Sequence, residues 1–177
     1  MAEGIDREII GGREKRTVRV VDHDPTWPGI FDGLRRRVVE ALGERALRVE
    51  HIGSTSVSGL AAKPIIDVLV VVVDVSDEAG YVPAMVDAGF ELRIREPGHR
   101  MMRTPARDAH FHIYPPGVPE IGAYPDLRDR LRRDAADREL YETTKRALAL
   151  REWDSMNDYA EAKSDVIAQI LARAARV

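Results

Sequence analysis

The sequence predicts an α/β domain, of the α+β kind in its separation of strands from helices, and three observations carry that reading. Residues 65–73 form the most apolar stretch of the chain, the pattern of a central, buried strand. Residues 90–114 hold two or three short runs punctuated by Pro97, Gly98 and Pro105, which favours an antiparallel meander. From Asp126 onward apolar residues recur at helical spacing, giving a helical C-terminal region.

The individual elements follow in chain order. Residues 1–16, polar and containing Gly11 and Gly12, read as a flexible N-terminal leader ahead of a single domain at 17–177. Residues 17–22 alternate β-branched with polar side chains and predict a first strand. Asp24, Pro25 and Pro28 make a turn around Trp27. Ile30, Phe31, Leu34, Val38, Val39 and Leu42 then predict a helix that ends at Gly43. Residues 47–52 read as a strand, followed by a small-residue loop at 53–59 and the apolar strand at 65–73. A short helix is expected at 77–88, closed by Gly89, and one or two helices at 126–151. A last helix starts near Ser155, which forms a variant capping box with Asp158. Its apolar stripe includes Met156, Tyr159, Val166, Ile167, Ile170, Leu171 and Ala174.

Composition narrows the function. The 177 residues suit one core, and 44% hydrophobic with 32% charged residues is an ordinary globular mix. A net charge of −3 argues against generic nucleic-acid binding, which needs a concentrated basic surface. The absence of cysteine removes disulfides, thiol nucleophiles and cysteine zinc sites, and suits a reducing compartment. With no signal-type segment and no long apolar span, a cytoplasmic location without a membrane partner is expected.

Four features break the local rules of such a domain. Asp67 interrupts the apolar strand, where an unpaired charge would cost several kcal/mol of lost hydration, so it requires a partner. Strand parity places it on the face of Ile65, Leu69 and Val71, towards a ligand, a metal or a basic side chain. The plain alternative is a strand-end aspartate bonded to loop amides. The second feature is Gly53-Ser54-Thr55-Ser56-Val57-Ser58-Gly59, directly after a strand, whose amides and hydroxyls can approach an anion closely. Ordinary caps and turns use the same residues. It lacks the Gly-Lys-Ser/Thr ending of a Walker A loop, which removes P-loop kinase chemistry.

The third feature is His110-Phe111-His112, in which period-two geometry sends both imidazoles to one face, suited to metal, phosphate or proton transfer, or to a solvated strand surface. His51, on the strand before the small-residue loop, is a further candidate ligand beside them, although a lone strand histidine is more often structural. Finally, Lys145 and Lys163 each follow a tyrosine by one helical turn, after Tyr141 and Tyr159, and interrupt apolar stripes. They either reach inward or snorkel to water. Arg93, Arg95, Arg100, Arg103 and Arg107 against Glu96 and Asp108 leave the segment before and along the histidine strand at +3, which favours an anionic ligand.

The run His51-Ile-Gly-Ser-Thr-Ser-Val-Ser-Gly-Leu-Ala-Ala-Lys-Pro-Ile-Ile-Asp67 resembles the signature of the GrpB family, bacterial proteins assigned to the nucleotidyltransferase superfamily. The likeness extends to Asp24-Pro25-x-Trp27, Phe31, His110-Phe111-His112, Leu127-Arg128-Asp129, Tyr141 with Lys145 and Tyr159 with Lys163. It implies a nucleotidyltransferase-like mixed β-sheet flanked by helices, with Gly53 and Ser54 at the phosphate-binding position. Active members of that superfamily follow the Gly-Ser pair with an Asp-hydrophobic-Asp/Glu motif that holds two magnesium ions. Here the motif reads Asp67-Val68-Leu69, without the second carboxylate, and Ser58 stands where the family often has proline. The family domain also occurs behind dephospho-CoA kinase, and that kinase activity is not expected here.

Together these features lead to an expected transferase-like enzyme acting on a nucleotide or phosphorylated small molecule. The alternative is a catalytically inactive domain of the same fold that binds a small anion or metal. Asp67, His110, His112 and Ser54 are the candidate catalytic residues. Gly53, Ser54, Thr55 and Lys63, with Arg103, Lys145 and Lys163, are candidate contacts to the anion. Asp67, His112 and His51 are candidate ligands of a divalent metal, either magnesium or a transition metal.

Overall fold

A computed structural model describes residues 7–12, 14 and 17–174, with backbone alone at residues 156 and 157. Strands β1 (Glu8–Ile9), β2 (Arg48–Ile52), β3 (Ile66–Val71), β4 (Glu91–Glu96), β5 (His99–Arg103) and β6 (Ala109–Tyr114) form one sheet in the order β1-β4-β5-β6-β3-β2. β3 and β6 run parallel, while the other neighbouring pairs are antiparallel. The sheet is therefore mixed. Helices α1 (Trp27–Leu42), α2 (Val82–Asp87), α3 (Glu120–Arg133), α4 (Ala135–Ala149), α5 (Met156–Glu161) and α6 (Ser164–Ala174) flank it.

Alternation along β3 and β6 separates two environments. Ile66, Val68 and Val70 join Ala109, Phe111 and Ile113 in the main core, which α1 covers with Leu34, Val38 and Leu42 and α2 with Met85. On the opposite face Leu69 and Val71 pack with Ile52 and Tyr114 against Val118, Ile121 and Tyr124. That apolar layer stops at Asp67, His110 and His112. A third cluster joins Val57 and Leu60 of the small-residue loop to Leu131, Tyr141, Val166 and Ile170, so the C-terminal helices are fastened to that loop.

Several sequence expectations need revision. Residues 17–22 make no strand, because only Val21 finds a partner, in a two-way bridge to Ala62 at 2.9 Å in each direction. The leader expected at 1–16 contains β1, which pairs with β4 at the sheet edge, and Arg93 donates to the carbonyls of Ile10 and Gly12. Residues 1–6, 13, 15 and 16 of that segment lie outside the described residues, as does the Met156 side chain of the expected stripe. The helix expected at 77–88 divides into a 3-10 turn at Glu78–Gly80 and α2, since Pro83 lies in the first turn of α2, where proline starts a helix rather than continuing one.

Helix α3 begins at Glu120, ahead of Asp126, with Pro125 inside it. Proline cannot donate to the carbonyl of Ile121 one turn earlier, and Arg48 Nη1 bonds that carbonyl instead, at 3.0 Å. The last helix starts as expected, with Ser155 Oγ accepting from the Asp158 amide and donating to its carboxylate. A turn at 162–163 then splits it into α5 and α6, and Lys163 sits in that break.

Candidate anion and metal pocket

The pocket forms where the start of the small-residue loop, at Ser54 and Thr55, meets the N-terminal ends of β3 and β6. In the parallel register Asp67 stands beside His110 and Leu69 beside His112. Both imidazoles turn towards the carboxylate: Asp67 Oδ1 lies 3.4 Å from His112 Nε2 and 3.7 Å from His110 Nδ1. The ligand-capable atoms of Asp67, His110 and His112 all fall within 4.8 Å of one another. Burial opposes ionisation of Asp67, but the His112 hydrogen bond and the charges of His112, His110 and Lys63 outweigh it and hold the carboxyl at about 2. The group is anionic at neutral pH.

Gly53 is dictated by this carboxylate. Its φ of 71° lies in the left-handed region, and a Cβ there would sit 2.6 Å from Asp67 Oδ2. The loop can therefore close over Asp67 only with glycine at this position. The following Ser54–Ser56 turn is held from outside by α3: Arg132 donates to the Ser56 carbonyl and Arg128 to the His51 carbonyl. Neither arginine was singled out for this from the sequence. Leu127-Arg128-Asp129 marked the place without showing that the guanidinium groups bind loop backbone.

Three lysines enter the same pocket from different elements: Lys63 after the loop, Lys145 from α4 and Lys163 from the α5–α6 break. Lys145 is 2% exposed and donates to Ser54 Oγ at 2.9 Å and to the Ala61 carbonyl. It reaches inward rather than snorkelling. Burial first, then the neighbouring charge of Lys163, pushes its pKa down to about 7. The two Tyr-x-x-x-Lys pairs work alike, with the Lys145 ammonium 4.7 Å from the Tyr141 ring centroid and the Lys163 ammonium 4.9 Å from that of Tyr159. Lys63 approaches the Tyr159 ring from 5.2 Å.

Tyr159 was read from the sequence as part of an apolar stripe, yet it lines this pocket. Its hydroxyl is buried without a hydrogen-bond partner among the described residues. Such an orphaned donor is suited to a ligand. The cavity holds about 50 Å³, at roughly 10–15 Å³ per water centre enough for a phosphate-sized group or a hydrated ion. It does not enclose a nucleoside.

Not every candidate belongs here. His51 lies opposite Val68 on β2, on the face covered by α1, where its ring stacks on Phe31 at 4.7 Å and its Nε2 meets Thr55 Oγ1 at 2.9 Å. Burial holds its pKa at about 4, so it is a neutral brace for the loop and stands apart from the Asp67, His110 and His112 cluster. Thr55 lines the pocket, but its hydroxyl serves His51 and the Ile65 carbonyl. Arg103 shares the face of His110, directly opposite it in register, but its guanidinium is bound by Glu14 and Glu91 rather than facing the cavity. Conversely, His99 stacks on His112 at 5.6 Å and on Tyr114 at 4.4 Å and was missed, because a lone histidine after Pro97-Gly98 carries no periodic signal.

Residues present fit one metal and not two. Asp67, His110 and His112 match a two-histidine, one-carboxylate donor set. Leu69, the position of the second carboxylate in the two-magnesium motif, is fully buried against Ile52, Val71 and Tyr114. The imidazole beside Leu69 in register, His112, is the group that reaches Asp67.

The fold and pocket thus describe an α+β domain with a mixed six-stranded sheet and a cationic cleft at one end of its central strands. The family model for GrpB protein matches residues 17–173, and the chain belongs to that family. A UPF0157 protein of Streptomyces coelicolor is 53% identical over 94% of this chain and 89% of its own length. A second, from Halalkalibacterium halodurans, is 45% identical over 89% and 83%. The crystal structure of the conserved protein GrpB from Enterococcus faecalis superposes with a TM-score of 0.77 at 34% identity, covering 88% of this chain and 96% of that one. A dephospho-CoA kinase of Mycobacterium tuberculosis shares 48% identity, but over 34% of this chain and 16% of the kinase. Among the described residues no helix is long and apolar enough to cross a membrane.

Proposed function

We propose that the pocket binds the phosphate group of a nucleotide or phosphorylated small molecule and promotes its transfer. The observation that carries this is the convergence of Lys63, Lys145 and Lys163 with Ser54 on the cavity that also holds Asp67 and His110. Among the described residues, Lys63 and Lys163, with Lys145 partly protonated near neutral pH, face one carboxylate in a partly desolvated site, which favours a multiply charged anion. The Tyr159 hydroxyl and Ser54 supply directional bonds, and the ammoniums supply charge. Asp67, His110 and His112 would hold a divalent metal, which when bound neutralises the transferring group and polarises its oxygens. The histidine donors favour a transition metal over magnesium. With a cavity of about 50 Å³, the remainder of a nucleotide would rest outside the enclosed part.

A second reading is favoured by one observation, the buried Leu69 in place of a carboxylate: a domain that binds the anion and metal without catalysis. The two separate experimentally. For the enzyme, nucleoside triphosphates with Mg²⁺ or Mn²⁺ raise the melting temperature, Asp67→Asn weakens that shift, and product accumulates. A shift without turnover under any metal supports the binding domain instead. No shift with nucleotides, inorganic phosphate or metals would remove both.

A further inference from the structure

We propose that Ser54 is a nucleophile, with Lys145 as its general base, and that it accepts a phosphoryl group from an anionic phosphoester to form a phosphoserine intermediate. The inference shares the anion pocket with the reading above but does not depend on the metal.

The geometry is that of a serine–lysine pair. Lys145 Nζ and Ser54 Oγ are 2.9 Å apart, within proton-transfer range. The Ala61 carbonyl, which can only accept, fixes an N–H of the same amine. In the neutral amine that leaves the lone pair available to the serine hydroxyl. The Tyr141 ring packs against the same amine, 4.7 Å from ring centroid to Nζ. An amine is a base only when it is unprotonated, and this one is held near neutrality at about 7 by burial and by the positive charges of Lys163, Arg146 and Lys63, with Glu142 acting in the opposite sense. Lys63 and Lys163 remain in the pocket wall to take the charge of the substrate and of the phosphoserine.

In the first step the Ser54 Oγ–P bond forms and the bond from phosphorus to the leaving oxygen breaks. The serine proton passes to Lys145 Nζ and from there to the departing oxygen. In the second step water, or an acceptor hydroxyl, attacks phosphorus. The P–Oγ bond then breaks, and the proton lost by the attacking group returns through Lys145 to Ser54. No electron transfer or further reactant is involved.

An alkyl fluorophosphonate tests the first step, because serine attack expels fluoride and leaves a stable adduct. With the full chain in EDTA, intact-mass and peptide analysis should show one adduct on Ser54, formed at a rate that rises through pH 7. Ser54→Ala should abolish it. Lys145→Arg keeps the charge but removes the base, and should slow labelling about 100-fold or more at an unchanged fold by melting temperature. Ser58→Ala, an exposed loop position, should label normally. Absence of a Ser54 adduct between pH 6 and 9, or labelling of Lys145→Arg at the normal rate, overturns the proposal. A phosphate-induced melting shift that persists without labelling retires the nucleophile alone. Labelling without any phosphate shift retires the anion-binding reading alone.

Discussion

The two faces of the central strands show how one β-segment serves two purposes. On the α1 side, Ile66, Val68, Val70, Phe111 and Ile113 are almost wholly buried and make contacts that any volume-matched apolar set could make. On the other side the same two strands present Asp67, His110 and His112, with side chains 32%, 23% and 21% exposed. The first face stabilises the fold. The second holds charge that the core would reject, and it is tolerated because the loop at 53–59 and the C-terminal helices build a polar chamber over it. Stability and binding should therefore respond to different substitutions one residue apart.

The largest separation is expected between neighbours on β6. Phe111→Ala should cost about 3–5 kcal/mol by denaturant unfolding, since Phe111 is fully buried and packs on Phe90 at 4.3 Å. His112→Ala should change stability by under about 1 kcal/mol while weakening metal affinity. Equal destabilisation by the two would erase the contrast between the faces.

Lys145→Met should act in the opposite direction. Replacing a desolvated ammonium by an apolar chain of similar length removes its burial penalty but leaves the Ala61 carbonyl without its donor, so the variant should be close to neutral at high pH and favoured near pH 7, and the melting shift given by inorganic phosphate should disappear. The sign with pH follows from the lowered pKa. The unfolded chain binds a proton that the folded chain releases between about 7 and 10.5, so the stability of the unsubstituted protein declines as pH falls across that window and levels off below it. The advantage of the Met variant should accordingly be larger at pH 7 than at pH 9.5. A constant difference would mean that Lys145 is not desolvated as described.

Gly53→Ala should have a smaller effect on stability, about 1–3 kcal/mol, from the positive φ and the 2.6 Å approach to Asp67 Oδ2. Because the strain falls on the carboxylate, metal affinity should drop with it. Gly59→Ala shares a positive φ but has open space around its Cβ, so it should lose stability without loss of metal binding.

Much of this contrast was legible in the sequence. Period-two alternation gave the two faces of β3 and β6, and an aspartate amid valines marked the chamber. The glycine beside Ser54, the histidine pair and the two tyrosine–lysine pairs marked most of its wall. What stayed hidden depended on contacts distant in sequence. His51 looked like a ligand because it opens the motif, whereas its register opposite Val68 turns it away. Arg103 looked available because Glu14 is remote in sequence. Helix α3 starts ahead of the expected Asp126 and runs through Pro125, because Arg48, which bonds the carbonyl that this proline leaves free, arrives from β2. Tyr159 looked like core because aromatic spacing does not show where a hydroxyl points.

Titration with Co²⁺, followed by visible absorption and repeated with inorganic phosphate, examines the chamber most directly. The account predicts one cobalt per chain, with d–d bands of mixed nitrogen and oxygen ligation that shift when phosphate is added and fade in Asp67→Asn, His110→Ala and His112→Ala. Bands that survive all three substitutions, or that ignore phosphate, would contradict a shared metal and anion site.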